Sequence, residues 1–171
     1  MKKSIMLIVI ILLSIVLVGC IGNNQDPIEQ INDELEITNQ VTKWNSAWTD
    51  KDTTNFRDTM VAEDIYFSYY WGSPMEKFTH ALSSIDDFVN LITASEHWEL
   101  WHLTYNKCNV IDAAVTITGS TAVVKGVWSL DIPKQKSYPE MKVKMTITFQ
   151  VMKTDNKWLI NSIALGEWEI L

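Results

Sequence analysis

The chain is predicted to fold as an α+β domain in which a curved antiparallel sheet packs against three helices. Three observations predict this. Apolar residues recur three or four positions apart between Ile28 and Trp48, the period of a helix. Strict two-residue alternation runs through positions 142–153, the period of a half-buried strand. From residue 98 onward, apolar runs of strand length are separated by short turns and not by helical segments.

The first residues are predicted to lie outside the domain. Met1-Lys2-Lys3 is basic, and residues 5–18 (IMLIVIILLSIVLV) contain Ser14 as their single polar member. The run ends in Leu17-Val18-Gly19-Cys20. A basic start, an apolar run of this length and small residues before a cut describe a secretory signal. Leu-Val-Gly-Cys also resembles the lipoprotein box of bacterial- or archaeal-type signals. That resemblance implies removal of residues 1–19 and a diacylglyceryl group on the thiol of Cys20. Lipid on Cys20 would hold the chain on the extracytoplasmic face of the cell membrane. A retained anchor is the alternative, although fourteen apolar residues fall short of the about 20 that span a bilayer.

Of 171 residues, 152 remain after this leader, enough for one domain and too few for two. They carry 12 basic against 21 acidic residues, a net charge of −9. This balance argues against a nucleic-acid binder, which needs basic surface, and no nucleic acid partner is expected. With Cys20 lipidated, Cys108 stands alone, so no disulfide forms within one chain; an apolar setting marks it as a core residue. There is no CxxC, HExxH or glycine-rich phosphate loop, and no metal or cofactor is expected.

Residues 20–27 read as the lipidated Cys20 and a short polar tether, and 28–171 as one domain. The first helix is expected to place Ile28, Ile31, Leu35, Val41, Trp44, Ala47 and Trp48 on one apolar stripe, with acidic residues at its start. Asp52 is suited to cap a second short helix running through Met60. Residues 64–71 (DIYFSYYW) read as an aromatic strand ended by Gly72-Ser73-Pro74. Segment 75–82 is a weak strand or a loop. Ser84 with Asp87 resembles a capping box, opening a helix that carries Ile85, Phe88, Leu91 and Ile92. Residues 98–118 read as one long strand, bulged near 109–112. Gly119-Ser120 turns it into a return strand over 121–132. Strands over 142–153 and 157–170 follow, joined at Thr154-Asp155-Asn156.

This order, with certain local phrases, resembles the nuclear transport factor 2-like superfamily, including SnoaL-like polyketide cyclases. The phrases are Trp44-Asn45-Ser46-Ala47-Trp48 with Asp50, Met60 to Ile65, Gly119 to Val124, and Lys157-Trp158-Leu159-Ile160 with Ile163. The resemblance spans roughly 35–170 and is one of pattern. It implies a cone whose open end holds a ligand, a partner segment or an active site, and frequent pairing of copies through the outer sheet face.

Candidate chemistry follows from that resemblance. His102, on the strand expected to line the cavity, is the candidate general base, with Asp64 to orient it and Tyr66 to donate a phenolic hydrogen bond. The plainer reading of His102 is a histidine satisfied in or beside the sheet. Trp44, Trp48, Tyr69, Trp71, Trp101 and Trp128 are candidates to line an apolar ligand cavity; their plainer reading is core packing. His80 and His97 are expected to be exposed. Lys125, Lys142 and Lys144 are expected on the solvated sheet face. The leading expectation is a membrane-anchored, non-catalytic domain that binds a small apolar ligand or a protein partner. A hydrolyase or isomerase using His102, Asp64 and a tyrosine is the alternative, and a structural homodimerising module is the second.

Overall fold

The computed structural model describes residues 26–71, 74–94, 99–135 and 139–171. The predicted leader, Cys20, the Gly72-Ser73 turn and His97 lie outside the described residues. Helix α1 spans Pro27–Asp50, and α2 spans Thr53–Thr59. Strands β1 (Glu63–Trp71) and β2 (Glu76–Ser84) form a hairpin, followed by α3 (Ile85–Ala94) and the single turn α4 (Glu99–His102). Strands β3 (Lys107–Thr118), β4 (Thr121–Ile132), β5 (Met141–Thr154) and β6 (Lys157–Ile170) complete the chain. Among the described residues, no helix is long and apolar enough to cross a membrane.

Local chemistry explains most boundaries. Asp26 accepts a hydrogen bond from the Ile28 amide at 2.9 Å, and Pro27 fits the first turn of α1, where no amide hydrogen is needed. Asp52 caps α2 through the Thr54 amide at 2.9 Å. Ser84 Oγ accepts from the Asp87 amide at 3.1 Å and donates to its carboxylate at 2.9 Å, so the short acidic partner serves the cap. Asp155 and Asn156 both adopt left-handed φ, 51° and 61°, as a two-residue hairpin turn requires.

The six strands form one sheet in the order β2-β1-β6-β5-β4-β3. All neighbours are antiparallel except β1 and β6, which run parallel from Tyr66↔Ser162 to Ser68↔Ala164. The sheet is therefore mixed and not wholly antiparallel as the sequence predicts. Alternation reports which face a residue takes but not which strand lies beside it, and this pairing is made across almost a hundred residues. Of segment 75–82, residues 76–82 belong to the edge strand β2, which begins one residue later than expected. Val143, Met145, Ile147, Phe149 and Val151 are buried, as their alternation predicts.

Three further expectations are corrected. The strand predicted over 98–118 begins only at Lys107; His102 ends a helical turn before it. His80 is partly buried on β2, its ring stacked on Tyr69 at 5.7 Å and 11°. Helix α1 carries two apolar faces, not one. Ile37, Val41, Trp44, Ala47 and Trp48 are buried against the sheet, whereas Ile28, Ile31 and Leu35 are 71%, 62% and 59% exposed. At 100° per residue, the two groups point roughly 160° apart around the helix axis.

Candidate functional site: a crevice beside an indole-filled interior

Trp44 and Trp48 lie four apart on α1 and so project from one face. They meet Phe56 from α2, Trp101 from α4, Trp128 from β4 and Phe149 from β5. Ring centroids are 5.0 Å apart for Trp44–Phe149, 5.1 Å for Trp48–Trp128 and 5.7 Å for Trp44–Trp48, most in edge-to-face geometry. Trp44, Trp48 and Trp128 are wholly buried. The candidate cavity indoles thus touch one another, and the space between helices and sheet at this level is filled by their own rings. Tyr69 meets the Phe67 ring at 5.4 Å and stacks on those of Phe78 and His80 at 5.5 and 5.7 Å. Trp71 closes β1, and its side chain lies outside the described residues.

One polar group sits among these rings. Asn45, 8% exposed, accepts from the Trp128 indole Nε1 at 3.0 Å and from the Cys108 thiol at 3.3 Å through the same Oδ1. Its Nδ2 donates to the Cys108 carbonyl. A buried amide is tolerated only when satisfied, and these contacts fix α1 against β3 and β4. Burial pushes the Cys108 thiol up to about 12, so it remains a thiol. Just past α1, Lys51 takes a left-handed φ of 57° and lays its ammonium 4.5 Å from the Tyr105 ring centroid and 5.2 Å from that of Trp101. Desolvation pulls its pKa down to about 8.

The catalytic candidates are placed differently. Asp64 and Tyr66 share a shallow depression of about 90 Å³ with Leu82 and Ser83, on the outside of the β1–β2 hairpin. Tyr66 is 53% exposed, and Asp64 adopts a left-handed φ of 56°. His102 is exposed at the end of α4 and does not line that depression. Among the described residues, no group of three or more His, Cys, Asp or Glu side chains stands where it could hold a metal ion.

Open space occurs instead between α1 and the edge strand β3. The register of β3 slips between Ile111 and Ala114, where Asp112 takes a left-handed φ of 53°. This bulge is the irregularity predicted near 109–112, and it bends the strand locally. Beside it lies a crevice of about 110 Å³ lined by Val41, Val110, Ala113, Val115 and Val124, together with the polar Thr38, Thr42, Asn45 and Asn109. Sequence reasoning did not single out Asn45 as a site residue. The available signal was a polar residue beside Trp44 on the core-facing side of a helix.

No protein-family model matches the sequence, and no curated protein matches it. Solved structures do share its fold. A nuclear transport factor 2-like superfamily protein from Salmonella enterica has a TM-score of 0.60 at 13% identity, over 80% of this chain and 92% of that one. An NTF2-like protein with a cystatin-like fold from Novosphingobium aromaticivorans has 0.61 at 14%, over 84% and 90%. The Kfla4162 protein of Kribbella flavida has 0.60 at 14%, over 82% and 95%. The fold is the NTF2-like cone, as the sequence phrases imply.

Proposed function

We propose that this chain is a lipid-anchored, extracytoplasmic, non-catalytic binding domain that takes a small apolar ligand in the α1–β3 crevice. The observation that carries the reading is the contrast between the two apolar regions. Wholly buried rings fill the interior, whereas the crevice keeps about 110 Å³ open among four valines, with two threonines and two asparagines also lining it. That space suits a single ring or a short alkyl chain and is smaller than the roughly 300 Å³ at which pockets for larger ligands begin. Exposure of His102, Asp64 and Tyr66 weighs against the enzymatic alternative, because a general base works best where water is excluded. Support for the anchor comes from the Leu17-Val18-Gly19-Cys20 phrase behind its apolar run.

The test uses full-length protein extracted from membranes. Ligand-observed NMR with benzene, indole and the alcohols from butanol to hexanol should detect binding. Val115→Phe, which fills the crevice from a partly buried position, should weaken it at least tenfold with the fold retained. Equal binding by that variant, or none by the parent, would overturn the crevice as the site. Metabolic labelling with a radioactive fatty acid should mark the parent and not Cys20→Ala. Unlabelled parent protein would overturn the anchor.

A further inference from the structure

The outward face of α1 has no partner within the fold. Ile28, Ile31 and Leu35 occupy successive turns, each more than half exposed, on the side opposite the sheet. Helix faces turned to water are normally polar, and three large aliphatic residues in line call for something that covers them. From the position of this face in the chain we propose that it lies on the lipid surface to which the protein is tethered, setting the orientation of the domain. This rests on the anchor in the reading above.

Three features choose the occupant. The helix starts at Pro27, seven residues after Cys20, so a fully extended tether holds that start within about 25 Å of the membrane. A second copy fits poorly. The three side chains expose roughly 350 Å² together, and two such faces would bury about 700 Å², below the roughly 1,200 Å² of a stable interface. Charge then sets the kind of surface. Asp26, Glu29, Glu34 and Glu36 accompany the stripe, the first basic residue of α1 is Lys43, two turns beyond Leu35, and Lys153, which reaches this end of the helix, is held by Asp33 on the sheet-facing side. The face therefore suits a zwitterionic bilayer, with its apolar side chains at the headgroup–acyl boundary, and lacks the cations that would draw it to anionic lipid.

The experiment reconstitutes the full-length, membrane-extracted chain into phosphatidylcholine vesicles that carry a quencher on their acyl chains. A fluorophore is placed at Asn32→Cys, an exposed position beside the stripe, or at Asn106→Cys, an exposed position just after Tyr105 at the opposite end of α1, as a distant control. Quenching at position 32 should exceed that at 106 at least twofold. It should fall to the control level in Ile28→Ser/Ile31→Ser/Leu35→Ser, which alters only exposed side chains. Vesicle flotation reads the tether separately and should be unchanged in the triple variant. Equal quenching at both positions, or quenching that persists in the triple variant, overturns the docking and leaves the tether standing. Failure of the parent to float overturns both. Proximity between labels of different copies without lipid quenching assigns the stripe to a second copy and also overturns the proposal.

Discussion

The carboxylate of Asp33 on α1 accepts a hydrogen bond from the indole Nε1 of Trp158 on β6 at 2.8 Å, across 125 positions of sequence. The same oxygen takes the Lys153 ammonium at 2.8 Å, and Glu36 one turn later accepts from the Trp158 amide at 3.0 Å. Asp33 is 4% exposed. A buried carboxylate persists only when paired and hydrogen-bonded, so these contacts clamp the start of the long helix to the β5–β6 hairpin.

Asp33→Ala is therefore expected to destabilise the fold by about 2–4 kcal/mol, since it strands a buried indole N–H and a largely covered ammonium. Asp33→Asn keeps an acceptor for the indole and should cost less. Urea denaturation checks both. The hydrogen bond to Asp33 raises the Lys153 pKa above its ordinary 10.5. A raised lysine stabilises the fold below that value, and the contribution is lost as pH rises through the folded pKa. In Asp33→Ala that loss above pH 10.5 should shrink, leaving the smaller part that Glu29 and Glu36 contribute.

Trp44 and Trp128 are both wholly buried, but their indole nitrogens differ. Trp128 donates to Asn45, whereas Nε1 of Trp44 has no oxygen or nitrogen partner. Trp128→Phe loses ring volume and leaves Asn45 short of a donor; Trp44→Phe loses ring volume alone. We expect Trp128→Phe to cost about 1–2 kcal/mol more, measured by chemical denaturation. Equal costs would mean that the Asn45 contact adds nothing.

Cys108 should resist thiol reagents at pH 8 in the native protein and react promptly in urea. Its folded pKa is pushed up to about 12 from an ordinary 9. Between those values the unfolded thiol ionises and the folded one does not, so its contribution to stability falls as pH rises through this window, against the opposite contribution of Lys51 below pH 10.5. The slope is at most about 1.4 kcal/mol per pH unit. Burial also raises the Tyr105 pKa, which adds alkaline loss of the same sign. Cys108→Ala should flatten the melting-temperature profile above pH 9 without abolishing the fall.

Gly166 lies where the β5–β6 register slips, between the Met145 and Ile147 pairings. A Cβ placed there would stand 2.0 Å from Thr146 Oγ1 and 3.3 Å from its Cβ. Gly166→Ala should cost about 1–3 kcal/mol in stability. Thr146→Ala removes the hydroxyl, so the double variant should recover most of that loss, and thermal melts of the four proteins close the cycle.

Much of the architecture was legible because it is encoded locally. Asp52, Ser84 and Asp155-Asn156 cap or turn the chain through their own side chains and backbone preferences. The alternation of 142–153 assigns every β5 side chain to its face. His102 was misplaced because Trp98 to Leu103 (WELWHL) is too short for its apolar spacing to separate a helical turn from a strand. The α1 stripe was misread for another reason. Ile28, Ile31 and Leu35 keep helical spacing among themselves but lie out of phase with Val41, Trp44 and Trp48, and spacing in sequence does not state which face meets the sheet.

By itself, then, the sequence determined an α+β cone, its caps and turns, its buried alternation and the phrase that implies an anchor. These depend on neighbouring residues, backbone preference and period. Tertiary structure decided the parallel β1–β6 pairing, the closing of the interior by indoles, the Asn45 and Asp33 clamps, and the outward face of α1. Each joins groups far apart in the chain or depends on which surface is already covered, and that is settled only when the elements pack together.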